Sequence, residues 1–230
     1  MTPPLPPPQK PRNYRGLAIG LGVVIVVLVA GVIALAFGGK DDKPGVTAGT
    51  AATASTVAGG VAPGETQAVT VTGDPLVPPP GPGEQDAAIG VAPPVLSGYT
   101  FDGSPITITP GGTPKMVVFL AHWCPHCNRE IPRILQWAAD GKVPEGLEII
   151  GVTTGVDSTL PNYPPSKWIA DKGWTYPVLA DSADRTAADA YGLTGFPYFV
   201  VIGTDGTVKV RFSGEIEEDQ LDALVRSALG

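Results

Sequence analysis

The chain has 230 residues, 15 basic against 22 acidic, a net charge of −7 and only two cysteines. The acidic balance argues against nucleic acid, which asks for a basic face. Two cysteines are too few for a disulfide framework, so the pair reads as a site.

Residues 1–16 are proline-rich and basic, which favours polyproline II and permits no core. They read as a cytoplasmic tail, with a ligand for a proline-reading module as the alternative. Leu17 to Phe37 carries no charge and is long enough to span a bilayer as a helix. Lys10, Arg12 and Arg15 precede it with no acid, which puts that end in the cytoplasm and the rest outside. The small-x-small run Ala34-Leu35-Ala36 keeps a cleaved signal peptide open, but the apolar stretch exceeds the usual signal length, so an uncleaved anchor is expected. Residues 38–86 are rich in Gly, Ala, Thr, Val and Pro without helical or strand period, and read as a disordered linker.

Residues 87–230 have the size of one domain. Pro94 to Ile108 reads as a hairpin turning at Asp102-Gly103. Met116 to Ala121 is apolar without alternation, as in a strand covered on both faces. Ile131, Ile134, Leu135 and Ala138 then follow the spacing of an amphipathic helix, which Pro132 should kink. Leu147 to Val152 is a second buried strand. Ser166 to Lys172 reads as a helix, Pro177 to Ala180 as a strand, and Ala187 to Tyr191 as a short helix. Phe196 to Ile202 and Thr207 to Phe212 form a hairpin through Thr204-Asp205-Gly206, and Leu221, Leu224, Val225 and Ala228 mark a closing helix. The order predicts an α/β fold: a central mixed sheet, parallel in its middle and antiparallel at one edge, with helices on both faces.

Trp123-Cys124-Pro125-His126-Cys127 lies where the buried strand hands over to the helix. Cys124 falls at the N-cap and Pro125 at the first helical position, where a missing N–H costs little. A sulfur at the cap faces free N–H groups and the positive end of the dipole, a setting that favours the reactive thiolate. His126, in the next position, is a charge that titrates near neutrality. A zinc site needs four ligands; the two cysteines and His122 and His126 sit on one strand end and one helical turn, which cannot wrap a metal. Covalent haem would need histidine where Asn128 stands. No metal and no cofactor is expected. Glu130, three residues past Cys127, lies beside it on the helix and is a candidate proton relay, or else a first-turn acid complementing the dipole.

The segment Val117 to Pro132, with its Cys-Pro-His-Cys and helix proline, resembles the thioredoxin superfamily, and so does Gly195-Phe196-Pro197 before the last hairpin. The N-terminal hairpin, the modest insertion between Cys127 and Pro197 and the membrane segment resemble the TlpA/ResA group of tethered extracytoplasmic oxidoreductases. The resemblance implies a thioredoxin-like fold and thiol-disulfide exchange, with Cys124 the exposed attacking cysteine and Cys127 the buried resolving one. It implies a cis Phe196–Pro197 bond beside the sulfurs, with Phe196, Trp123 and Pro125 meeting substrate. His122 is expected as an exposed strand-end residue. The family's buried acid on the strand is replaced by Val118, so the proton path to Cys127 must differ.

The Cys-Pro-His-Cys dipeptide is similar to oxidising DsbA-type proteins, while the frame is similar to the reducing TlpA/ResA type, so the direction of electron flow stays open. The expected partners are exported protein thiols and disulfides. A membrane redox partner, either a quinone-linked oxidase or an electron importer, would recharge the pair. Two alternatives are a copper-binding module of the Sco type, whose cysteines are spaced more widely, and a thiol peroxidase, whose motif is not seen here.

Overall fold

The sheet is organised on β4 (Lys115–Leu120), which is buried along its whole length. The structure is a computed structural model that describes residues 60–81 and 83–230. Successive side chains of a strand point to opposite faces, so β4 feeds two cores. Met116, Val118 and Leu120 join Ile131, Ile134 and Trp137 on one face. Val117 and Phe119 join Leu96, Tyr191 and Tyr198 on the other. Burying an apolar side chain of this size contributes about 1.5–3 kcal/mol, which is why a strand with no polar face is stable here.

β5 (Glu148–Thr153) lies parallel to β4, and β6 (Val178–Ala180) parallel to β5. On the other side β7 (Tyr198–Ile202) runs antiparallel to β4, and β8 (Val208–Ser213) antiparallel to β7. The N-terminal hairpin, β2 (Val95–Tyr99) and β3 (Pro105–Ile108), forms as expected, with Tyr99 opposite Pro105 across the turn that holds Asp102-Gly103. It attaches to β6 at Tyr99, again antiparallel. With β1 (Thr70–Thr72) on β2, the order is β1-β2-β6-β5-β4-β7-β8, and β3 branches from β2. The sheet is therefore antiparallel at both edges, not one; hydrophobic period does not tell which edge a hairpin takes.

Helices cover both faces, as predicted. α1 (Pro125–Ala139), α2 (Pro165–Asp171) and α4 (Glu218–Leu229) supply the core that holds the cysteines, and α3 (Thr186–Ala190) supplies the opposite one. Trp137 ties α1 to α4 by donating from Nε1 to Asp222 Oδ1 at 3.1 Å. α1 continues through Pro132. Proline cannot donate back to Asn128; the Nζ of Lys172 reaches that carbonyl at 3.4 Å.

The linker expectation for residues 38–86 fails from residue 60 onward. Val61 donates its N–H to Gly103, β1 pairs with β2, Leu76 is buried, and Asp86 makes a two-pronged ion pair with the buried Arg211 at 2.6 Å. These anchors are three strand residues and single side chains between prolines and glycines, too sparse to leave a period. The tail, the apolar span 17–37 and the linker to residue 59 lie outside the described residues. Among the described residues no helix is long and apolar enough to cross a membrane.

Candidate active site

Cys124 caps α1 with extended backbone angles, φ −77° and ψ 119°, and Pro125 opens the helix. Its N–H is taken by the Ala121 carbonyl at 3.0 Å. Its own carbonyl accepts the Asn128 N–H at 3.1 Å and Asn128 Nδ2 at 2.9 Å. The side chain is only 4 % exposed, so Cys124 is not the open sulfur expected, although Pro125 and His126 beside it are exposed. A cap position fixes where the sulfur starts, not what packs over it.

Cys127 is fully buried among apolar side chains that include Val118 and Ile131. Its Sγ accepts the Ala121 N–H at 3.5 Å. Burial pushes its thiol far above the ordinary range, and the charges of Cys124 and Glu130 push the same way. Cys127 thus needs a base to become a nucleophile.

Glu130 stands one helical turn on and is fully buried. Oε2 accepts the Ile216 N–H at 3.2 Å and Arg133 Nη1 at 3.4 Å, while Oε1 has no partner. Burial raises its carboxyl to about 7, against the opposing pull of Ile216 and Arg133. A carboxyl that titrates near neutrality with one free oxygen in a dry setting can accept and return a proton. The first turn of α1 holds no acid, so Glu130 is not the alternative, a first-turn acid complementing the dipole.

On the solvent side of the same turn stands Glu215, from the loop between β8 and α4. Oε1 accepts His126 Nδ1 at 2.6 Å and Arg129 Nη2 at 2.6 Å; Oε2 accepts Arg129 Nε at 3.1 Å and Arg133 Nη1 at 3.0 Å. The Arg129 and His126 hydrogen bonds hold its carboxyl down at about 2. Sequence reading missed Glu215, Arg129 and Arg133: the contacts span more than eighty positions, and no local pattern marks them.

Aromatic side chains form the other wall. Trp123 donates from Nε1 to the Gly155 carbonyl at 2.7 Å and meets Phe196 edge to face at 5.5 Å. Gly155 adopts a left-handed φ of 63°, which suits glycine. The Phe196–Pro197 bond is cis, as expected, and Pro197 is buried; a second cis bond, Tyr163–Pro164, was not foreseen. His122 is not exposed but buried, at 1 %. The segment after β5 folds over it: Nδ1 meets the Pro161 carbonyl at 2.7 Å, Nε2 accepts the Asp157 N–H at 3.2 Å, and Asn162 Nδ2 donates to its carbonyl at 2.8 Å. These are the roles of a neutral imidazole protonated at Nδ1. Among the described residues no three His, Cys, Asp or Glu side chains converge as metal ligands.

The AhpC/TSA family profile matches residues 96–211, half of the chain, from β2 through the cysteine pair to β8. A thiol:disulfide interchange protein, HelX of Rhodobacter capsulatus, is 30% identical over 109 residues, 47% of this chain and 56% of the relative. The soluble secreted antigen MPT53 of Mycobacterium tuberculosis is 30% identical over 112 residues, 49% of this chain and 58% of the relative. The chain thus matches only a little over half the length of these curated relatives. Among solved structures, a thioredoxin-family thiol:disulfide interchange protein from Chlorobium tepidum is 29% identical with a TM-score of 0.50, over 64% of this chain and all of that one. The chain belongs to the AhpC/TSA family and has a thioredoxin-like fold.

Proposed function

We propose that this protein is a thiol-disulfide oxidoreductase acting on exported proteins through Cys124 and Cys127. The observation that carries the reading is the pairing of a cysteine at the N-cap position of α1 with a buried second sulfur and a buried, near-neutral carboxyl one turn away. In the reducing direction the Cys124 thiolate attacks one sulfur of a substrate disulfide. An S–S bond forms between Cys124 and substrate, the substrate S–S bond breaks, and one substrate thiolate leaves. Glu130 then takes the proton of Cys127, and the Cys127 thiolate attacks Cys124 Sγ. The second substrate thiolate leaves, and the protein holds the Cys124–Cys127 disulfide with its electron pair passed to substrate. Oxidation of a substrate dithiol is the same sequence reversed.

Phe196, Pro197, Trp123 and Pro125 supply the substrate-facing rim, and His126 the adjacent polar contact. Residues 17–37 anchor the chain with this domain outside the cytosol, supported by the basic N-terminal flank. A membrane redox partner recharges the pair. Insulin-disulfide reduction by the parent and by Cys124→Ser tests the activity: exchange is expected only in the parent, and unchanged exchange in the variant would overturn the reading. Equilibration with glutathione sets the direction: a potential near about −120 mV marks an oxidant, and one near or below about −250 mV a reductant.

A further inference from the structure

Glu215 takes no part in the steps above, yet it touches three side chains of α1 on the outer side of the site. His126, Arg129 and Arg133 reach it from α1. Glu217, from its own loop, pairs with Arg133 at 3.1 Å. Glu130 shares Arg133 from the buried side, at 3.4 Å. The next residue of the loop, Ile216, holds Glu130 Oε2. One short stretch therefore grips both sides of the first two turns of α1. The side chain of Glu215 is 21 % exposed, against 56 % for His126 and 54 % for Arg129, so the carboxylate is the more covered member of the cluster. His126 Nδ1 donates to Glu215, with Arg129 Nη2 3.0 Å from the same nitrogen, and among the described residues no hydrogen bond joins His126 to Cys124. Arg129 stands on α1 five residues past Cys124 at the helix mouth, and its hydrogen bond to Glu215 raises its guanidinium.

We propose that Glu215 is a positioning residue for the cysteine pair: it gathers His126 and Arg129 onto one carboxylate and so limits the positive charge that Cys124 meets. The inference rests on the thiol-disulfide reading above. Its physical content is a balance between two forms. Positive charge favours the thiolate form of a reduced cysteine at this position; the disulfide carries no charge there. An anion that neutralises the cations therefore favours the disulfide. Removing that anion shifts the pair toward the dithiol, making the protein a stronger oxidant.

The test is equilibration of the full chain with glutathione: protein disulfide plus two glutathione thiols gives protein dithiol plus glutathione disulfide. Glu215→Gln keeps the shape and removes the charge. Its equilibrium constant is expected to rise about tenfold over the parent, which is about 30 mV for a two-electron couple. Arg129→Gln, a change at an exposed side chain, should lower the constant about threefold, because Glu215 is then less compensated; this second arm stands even if Glu215→Gln folds poorly. In the His126→Gln background at least half of the Glu215→Gln rise should disappear, since a positioning residue acts through the groups it holds. A constant within twofold of the parent in both single variants overturns the proposal, as does a full rise retained when His126 and Arg129 are both replaced. If the parent itself fails to equilibrate with glutathione, the functional reading fails instead, so the two failures are distinguishable.

Discussion

The first two turns of α1 have two sides that differ in almost every physical respect. The inner side holds Cys127 and Glu130, both fully buried, beside Val118 and Ile131. The outer side holds His126 and Arg129, both more than half exposed, on Glu215. In the dry half, burial dominates and pushes both the thiol and the carboxyl toward their neutral forms. In the wet half, hydrogen bonds among charges dominate and keep Glu215 ionised. We propose that this division gives the start of the helix two jobs: the inner half moves a proton on demand, and the outer half sets the charge met by the attacking sulfur.

The largest expected effect separates the two sulfurs. Cys127→Ser should let Cys124 attack but not release, so a mixed disulfide accumulates and turnover falls on the order of a thousandfold or more. Millimolar external thiol cannot replace an intramolecular one of far higher effective concentration. Mass spectrometry of the trapped adduct checks this; an adduct on any residue but Cys124 contradicts it. Next comes Glu130→Gln, which keeps the shape of the inner half and removes its base. The release step should slow about a hundredfold, the usual scale of a lost general base, while the first attack by Cys124 is little changed. Rapid-quench measurement of the two phases separates them.

A stability effect follows from the same carboxyl. Its folded value of about 7 lies above the ordinary 4.5, so the folded state binds the proton more tightly than the unfolded one. The stabilisation is complete below pH 4.5, fades as pH rises toward 7, and is gone above it. The parent should therefore lose on the order of 3 kcal/mol between pH 4.5 and 8 from this one group. Glu130→Gln should not lose it, and denaturant titrations at both pH values would register the difference. The smallest effect lies in the aromatic wall. Gly155→Ala should cost about 1 kcal/mol from its left-handed φ alone, because a Cβ there meets Trp123 and Phe196 at ordinary contact distances of 3.8 and 3.9 Å. Thermal unfolding checks it, with exchange activity retained.

What was legible in the sequence is what is local. The cap at Cys124, the proline at the first helical position and the neighbouring Glu130 all follow from spacing along one helix. The non-alternating strand β4 announced burial on both faces, and it is buried on both. What was not legible depends on chain returning from far away. Glu215 arrives 89 positions after His126. His122 looked exposed because the segment that covers it, Asp157 to Asn162, has no strong period of its own. Residues 60–86 looked like linker because Leu76 and Asp86 each anchor the chain alone, between residues that favour coil.

The pH profile of the release step bears most directly on the division of labour. Thiol released from a preformed Cys124 mixed disulfide, followed in single turnover from pH 5 to 9, should accelerate through an inflection near pH 7 in the parent, where Glu130 gives up its proton. In Glu130→Gln that inflection should be absent. The same inflection in both proteins would contradict the account, because the proton of Cys127 would then leave by a route that does not pass through the buried carboxyl.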